Sequence, residues 1–232
     1  MSLTLLFDAD DTILDFHKAE HIAISLTQSF FHLDKFVDLP SKYSVINDSI
    51  WKEYERGEIA FKDVADTRFV RLFAIYGLDD LDPSVVGQQY KEFLSQQAFF
   101  VRGMRKLLDK LLGRDDMYII TNGIVFTQVR RFKKAKLNKY FKNIFISQQI
   151  GYKKPQKEFF DHVKKSIANF DIEKTYIIGD SLTSDMQGGA NSGIKTIWFN
   201  KARKKNTYDF CPTYEVNSVA QLDALIEKLE KQ

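Results

Sequence analysis

The sequence predicts an α/β protein whose core is a Rossmann-like, doubly wound parallel sheet, with an all-helical domain inserted after the first strand. Short apolar runs that end in small or acidic residues recur along the chain, and helical periodicities alternate with them after about residue 100. Residues 16–99 instead contain helical periodicity without a convincing strand. Strand and helix that alternate in this way predict parallel pairing through right-handed crossovers.

Each strand is predicted from a run rich in β-branched and aromatic residues, as expected for a sheet buried on both faces. The predicted buried strands are residues 3–7, 117–120, 143–146, 175–178 and 196–199, with residues 213–216 as a last edge strand. A final helix is predicted after Ser218, which is a suitable N-cap.

The inserted segment shows apolar residues at helical spacing, such as Ala19, Ala23 and Phe30, and these stripes predict core packing. Turn signals divide it into four or five helices, and they are Pro40, Gly57, Gly77 and Pro83. We therefore expect a core formed by residues 1–15 and 100–232, and a helical domain formed by residues 16–99.

Composition excludes several classes of protein. The net charge is only +3 and acidic residues are interspersed with basic ones, so we expect no nucleic-acid partner. No apolar run reaches the roughly 18 residues of a membrane span, and the single cysteine, Cys211, excludes an internal disulfide, so we expect a cytoplasmic protein. We also expect a monomer or a weak homodimer. Two basic runs are predicted to be solvated surface: Arg130, Arg131, Lys133, Lys134 and Lys136, then Lys201, Arg203, Lys204 and Lys205.

Three carboxylates, Asp8, Asp10 and Asp11, crowd the end of the first predicted strand. Burial makes such charge expensive unless a cation offsets it, and Mg²⁺ bound by carboxylates, water and a substrate phosphate fits this chemistry. Because strand side chains alternate, Asp8 and Asp10 can serve one centre only if the chain curls directly after the strand. Alone, the segment is equally compatible with a capped turn.

Three later segments supply further polar groups where predicted strands end, at the edge of an open α/β sheet where ligands bind. They are Thr121-Asn122-Gly123, Lys153-Lys154-Pro155, and Gly179-Asp180 with Asp185 five residues on. Together with Asp8-x-Asp10-x-Thr12, this ordered set resembles the haloacid dehalogenase-like superfamily of phosphohydrolases. The resemblance covers essentially the whole chain, because the helical insertion lies where that family has its helical cap.

The resemblance implies that Asp8 is a nucleophile that forms an aspartyl-phosphate. Asp10 would protonate the leaving oxygen and later deprotonate the hydrolytic water. Thr121 would donate its hydroxyl to a phosphate oxygen, with the backbone amides of Asn122 and Gly123 as further donors.

The same resemblance assigns the charged partners of the phosphate. Lys154 would neutralise the transferred group, and it is preferred to Lys153 because the family lysine directly precedes the proline. Mg²⁺ would be held by the Asp8 carboxylate, the Asp10 carbonyl and Asp180. Asp185 would act mainly by holding Asp180, Lys154 or bound water in position.

One residue departs from the family pattern, since many members have glycine where this chain has Asp11. Asp10 itself argues against dehalogenases, which do not need an acid/base aspartate there. The run from Phe7 to Phe16, the segment from Trp51 to Ile59 and the sequence from Arg68 to Phe73 look like those of the bacterial pyrimidine 5′-nucleotidases. This finer similarity implies a small phosphorylated metabolite, most specifically a nucleoside monophosphate, as the substrate. The residues expected to select it are Phe16, His17, Lys18, Tyr54 and Arg56.

Three alternatives stay open on the residues alone, of which a binding-only protein with a relic site is disfavoured because no expected catalytic group is missing. A sugar-phosphate phosphatase or phosphomutase of the same superfamily would use the same core and a different cap. A signalling receiver domain also combines aspartate, threonine and lysine with Mg²⁺ at strand ends, but it carries them in another order and in about half this length.

Overall fold

The computed structural model describes residues 2–231, in which six strands form one sheet with the order β3-β2-β1-β4-β5-β6. All neighbouring strands are parallel. The predicted α/β class is thus confirmed, including the edge strand near the end of the chain. The strands are β1 Thr4–Phe7, β2 Asp116–Thr121, β3 Asn143–Ile146, β4 Thr175–Gly179, β5 Lys195–Phe199 and β6 Tyr214–Val216.

The central strand is β1, which lies between β2 and β4. Its Leu5, Leu6 and Phe7 are fully buried, because a parallel sheet is covered on both faces. Phe7 pairs with Ile119 on one side and with Ile178 on the other. This register brings the ends of β1, β2 and β4 side by side, at the point where the strand order reverses.

None of the helices in the described residues is both long enough and apolar enough to cross a bilayer. They are α1 Phe16–Phe30, α2 Leu39–Arg56, α3 Phe61–Tyr76, α4 Pro83–Ser95, α5 Met104–Leu111, α6 Val125–Ala135, α7 Ser147–Ile150, α8 Lys157–Ser166, α9 Gln187–Ser192 and α10 Val219–Leu229. Helix α10 begins as predicted, with the Ser218 hydroxyl accepting a hydrogen bond from the Gln221 amide.

Helices α1 to α4 form the inserted segment, so the lower of the two predicted helix numbers is correct. Gly57 and Gly77 end α2 and α3 in the left-handed conformation, and Pro83 occupies the first turn of α4. Pro40 likewise marks the boundary between α1 and α2, since it lies in the first turn of α2. That position tolerates proline because the first-turn amides have no partner within the helix.

The chain divides into two compact units. The core unit contains residues 2–15, 100–125 and 135–231, and the helical unit contains residues 16–99 together with Phe126–Lys134 of α6. Within the helical unit, buried Arg131 donates to the Gln97 carbonyl, and its guanidinium carbon lies 5.5 Å from the centre of the Phe16 ring. The prediction that this basic run is solvated is therefore wrong at Arg131.

Candidate active site

The chain curls immediately after β1. The Asp8 amide still donates to the Ile178 carbonyl of β4 at 2.8 Å, and the Ala9 carbonyl then accepts from the amides of both Ile13 and Leu14. This turn begins at Ala9, two residues after β1 ends, and such a turn directly after the strand is what Asp8 and Asp10 need in order to serve one centre.

Lys154 is the buried cation of the site. Its Nζ lies 2.6 Å from Asp8 Oδ1 and 2.6 Å from Asp185 Oδ1, and it also donates to the Ile120 carbonyl at 3.1 Å. Burial by itself would lower the pKa of Lys154, but the carboxylates of Asp185 and Asp8 outweigh it, and that pKa is raised. Lys154 therefore stays charged and bridges the carboxylates of Asp185 and of Asp8, the candidate nucleophile.

Asp8, Asp180 and Asp185 offer carboxylate oxygens that all lie within 4.8 Å of one another. Burial raises the pKa of Asp8 well above its ordinary value, Lys154 opposes this, and Asp185 and Asp180 add to it. Burial likewise raises the pKa of Asp180 to about 8, with Asp11 and Asp185 adding to the effect. The single charge of Lys154 does not offset the negative charge of three carboxylates. Carboxylate oxygens in this arrangement fit a hard divalent cation such as Mg²⁺.

Asp185 is held from two sides. Oδ1 accepts from Lys154, and Oδ2 accepts from the Ser181 amide at 3.3 Å. A π-helical turn, Leu182–Met186, brings Asp185 back toward the end of β4. Gly179 leaves the space that the carboxyl group occupies, because a Cβ there would lie 2.2 Å from Asp185 Oδ2.

The Thr121-Asn122-Gly123 segment contains a contact that the sequence did not predict. The Asn122 side chain donates to the Lys154 carbonyl and accepts from the Lys154 amide, both at 2.9 Å. Asn122 was expected to contribute only its backbone amide, whereas its side chain positions Lys154. Thr121 is buried, and its Oγ1 accepts from the Gly123 amide at 3.0 Å. Nothing in a single sequence pairs an asparagine with a lysine 32 residues away.

Asp11 adopts a left-handed backbone conformation with φ of 58°. Glycine adopts this conformation most readily and aspartate tolerates it, so the aspartate here is compatible with the turn. Lys201, which was expected to be a solvated surface residue, lies with Nζ 3.9 Å from Asp11 Oδ1. No local pattern predicts this pair, because Lys201 follows β5, a strand not used in predicting the site.

The residues expected to select the substrate lie in the helical unit. The Tyr54 ring is buried, with its centre 5.8 Å from that of Trp51 and 5.5 Å from that of Phe61. Lys18 Nζ lies 4.6 Å from the centre of the Phe99 ring. Exposed Arg56 pairs with Glu58, while Phe16 contacts Arg131 as described and His17 is exposed. Their role in selection stays a prediction.

Comparison with known proteins extends these observations. The family model described as haloacid dehalogenase-like hydrolase matches residues 5–199. The chain is 39% identical to the HAD-hydrolase YfnB of Bacillus subtilis over 94% of this chain and 93% of that protein. It is 40% identical to the pyrimidine 5′-nucleotidase PynA of Streptococcus pneumoniae over 98% and 97% of the two chains.

A further relative is the pyrimidine 5′-nucleotidase YjjG of Escherichia coli, which is 27% identical over 97% of each chain. Among solved structures, the crystal structure of YfnB bound to magnesium has a TM-score of 0.91 at 38% identity, and it covers 97% of this chain and 98% of that one. The agreement extends over nearly the whole of each chain and includes the helical insertion.

Proposed function

Because this chain is a hydrolase of the haloacid dehalogenase-like family, we propose that it is a Mg²⁺-dependent phosphomonoesterase that acts on nucleoside 5′-monophosphates through an aspartyl-phosphate. The observation that carries the proposal is the buried Lys154, which contacts both Asp8 and Asp185 beside Asp180. A nucleophilic carboxylate, a fixed cation and an acidic cation site are the groups that transfer of a phosphoryl group requires.

In the proposed reaction, an Asp8 carboxylate oxygen attacks phosphorus and the bond from phosphorus to the ester oxygen breaks. Asp10 gives its proton to the departing alkoxide. Asp10 then takes a proton from water, whose oxygen attacks phosphorus, and the bond from Asp8 to phosphorus breaks. Inorganic phosphate leaves, and Asp8 is regenerated.

The other residues hold the group that is transferred. Lys154 offsets charge that spreads over the phosphate oxygens, and Asn122 fixes the backbone from which Lys154 extends. The Thr121 hydroxyl is the proposed donor to one of these oxygens. Asp8, Asp180 and the Asp10 carbonyl would hold Mg²⁺, which supplies further positive charge to the phosphate when bound.

Support for the nucleotide comes from PynA and YjjG, which align with this chain over nearly their full lengths. The test measures release of inorganic phosphate from pyrimidine and purine nucleoside monophosphates and from sugar phosphates, with Mg²⁺ and with a chelator. We expect the highest kcat/KM for a pyrimidine nucleoside 5′-monophosphate and no release with the chelator. A preference for sugar phosphates, or isomerisation of them without phosphate release, would contradict the proposed substrate.

The matched control is Asp8→Asn, which keeps the shape of the side chain and removes its nucleophilic charge. We expect it to lower kcat on the order of a thousandfold or more. Acid-quenched parent protein should retain phosphate labelled from the substrate, and the variant should retain none. A variant that hydrolyses phosphate esters as fast as the parent would show that Asp8 is not the nucleophile.

A further inference from the structure

Lys201 extends from a turn that is firmly anchored after β5. The preceding residue, Asn200, is buried, and its side-chain amide donates to the Lys204 carbonyl and to Glu215 while its side-chain oxygen accepts from the Lys204 amide. The Asn200 backbone amide donates to the Val216 carbonyl of β6 at 2.8 Å. This set of bonds places Lys201 at the same edge of the sheet as the candidate active site.

The charge of Lys201 faces Asp11. The 3.9 Å between Lys201 Nζ and Asp11 Oδ1 is too long for a hydrogen bond but short enough for strong attraction between unlike charges. Both side chains also act on Asp180, since Asp11 raises the pKa of Asp180 and Lys201 lowers it. The pair therefore belongs electrostatically to the acidic cluster.

Lys154 does not compensate for Asp11 because it is already held between Asp8 and Asp185. Without the charge of Lys201, the net charge beside Asp11 would be more negative close to the place where an anionic phosphate must bind. Partial exposure reduces this effect but does not remove it, because the Asp11 side chain is only 14% exposed.

We propose that Lys201 is a positioning residue that neutralises Asp11, so that the acidic end of the sheet attracts a divalent cation without repelling the phosphate group of the substrate. The inference rests on the proposed phosphatase function. It also explains how this chain accepts an aspartate at residue 11.

The test uses Lys201→Met, Asp11→Asn and the double variant, with Mg²⁺ and inorganic phosphate as the probes in titration calorimetry. Removing Lys201 leaves the cluster more negative. We expect Lys201→Met to bind Mg²⁺ about threefold more tightly and, when loaded with Mg²⁺, to bind inorganic phosphate about threefold more weakly. The KM for a nucleoside monophosphate should rise to a similar extent, with kcat nearly unchanged.

The double variant should return both affinities to those of the parent, because it removes one charge of each sign. Lys201→Arg should behave like the parent, and Lys205→Met, which removes an exposed lysine from the same loop, should change neither affinity. The effects of Lys201→Met should shrink as ionic strength rises.

Opposite changes for the cation and the anion distinguish charge compensation from loss of structure, which would weaken both. Parallel losses, no change, no Mg²⁺ binding by the parent, or a double variant that stays impaired would each overturn the inference. Neither titration requires turnover. If the parent hydrolysed no phosphomonoester but the opposite shifts appeared, the proposed function would fail and the charge compensation would stand.

Discussion

At the scale of single residues, the site depends on a buried lysine placed between carboxylates. Lys154 is 1% exposed and contacts Asp8 and Asp185 at equal distances of 2.6 Å. A buried ion pair adds little to stability relative to apolar residues, but removal of one partner leaves the others in a low dielectric without compensation. The proposed phosphate chemistry would therefore account for the arrangement better than a contribution to folding would.

Replacing Lys154 with methionine keeps the length of the side chain and removes its charge. We expect Lys154→Met to lower the free energy of unfolding by about 3 to 5 kcal/mol and to abolish phosphate release. Added Mg²⁺ should recover part of the stability, because the cation offsets the same carboxylates. Chemical denaturation with and without Mg²⁺ measures both effects.

The neighbouring Lys153 supplies the control, since the two lysines are adjacent and only one is predicted to act. Lys153→Met should lower the free energy of unfolding much less than Lys154→Met does, because Lys153 is half-buried and Lys154 is buried, and it should leave turnover nearly intact. A large loss of activity in Lys153→Met, with Lys154→Met still active, would reverse the assignment of the catalytic lysine.

At the scale of secondary structure elements, the strands were predictable because a parallel sheet buried on both faces leaves uninterrupted apolar runs in the sequence. Both β1 and β4 were located within one residue of their observed bounds. The π-helical turn at Leu182–Met186 was not predicted, because its shape depends on the space that Gly179 leaves for Asp185. Such packing is a tertiary effect without a local pattern.

Gly179 ends β4, and its missing side chain is a condition for the turn that carries Asp185. In Gly179→Ala, the new Cβ would lie 2.2 Å from Asp185 Oδ2, so the carboxyl group must move away from Lys154. We expect activity to fall on the order of a hundredfold. The free energy of unfolding should fall by about 1 to 3 kcal/mol.

Gly87 in α4 offers the same substitution without a clash, since the nearest atom to a new Cβ is a Phe69 ring carbon at 3.4 Å. Gly87→Ala should preserve activity and should not lower stability, because alanine favours a helix over glycine. Steady-state kinetics and thermal unfolding of both variants test the comparison. Full activity in Gly179→Ala would mean that the position of Asp185 does not matter to the reaction.

At the scale of the whole molecule, each unit is assembled from separate stretches of the chain, and this limited what the sequence could predict. The change of periodicity near residues 16 and 99 indicated a helical insertion, yet Phe126–Lys134 also packs in the helical unit. Arg131 shows why: its burial depends on the Gln97 carbonyl, which is distant in sequence. The ordered motifs located Asp8, Lys154 and Asp185, whereas a contact between separate loops added Lys201.

Stability of the whole molecule should depend on pH through the acidic cluster. Burial raises the pKa of Asp180 to about 8 in the folded protein, from an ordinary value of 3.8 in the unfolded chain. The folded state therefore binds the proton of the Asp180 carboxyl more tightly than the unfolded chain does. The stability that this proton contributes is complete below about pH 4 and is lost as pH rises toward 8. Without a divalent cation, the parent should become less stable than Asp180→Asn as pH increases.

The difference in unfolding free energy between Asp180→Asn and the parent measures the titration of Asp180 together with its effect on the neighbouring carboxylates of Asp8 and Asp185. Between about pH 5 and pH 7 it should grow in favour of the variant, with a slope of at most about 1.4 kcal/mol per pH unit for one proton. Added Mg²⁺ should reverse the loss of stability with rising pH in the parent but not in Asp180→Asn, because the ionised carboxylates bind the cation only in the folded state. Denaturation at several pH values measures the slope, and a difference that stays constant with pH would show that Asp180 titrates normally.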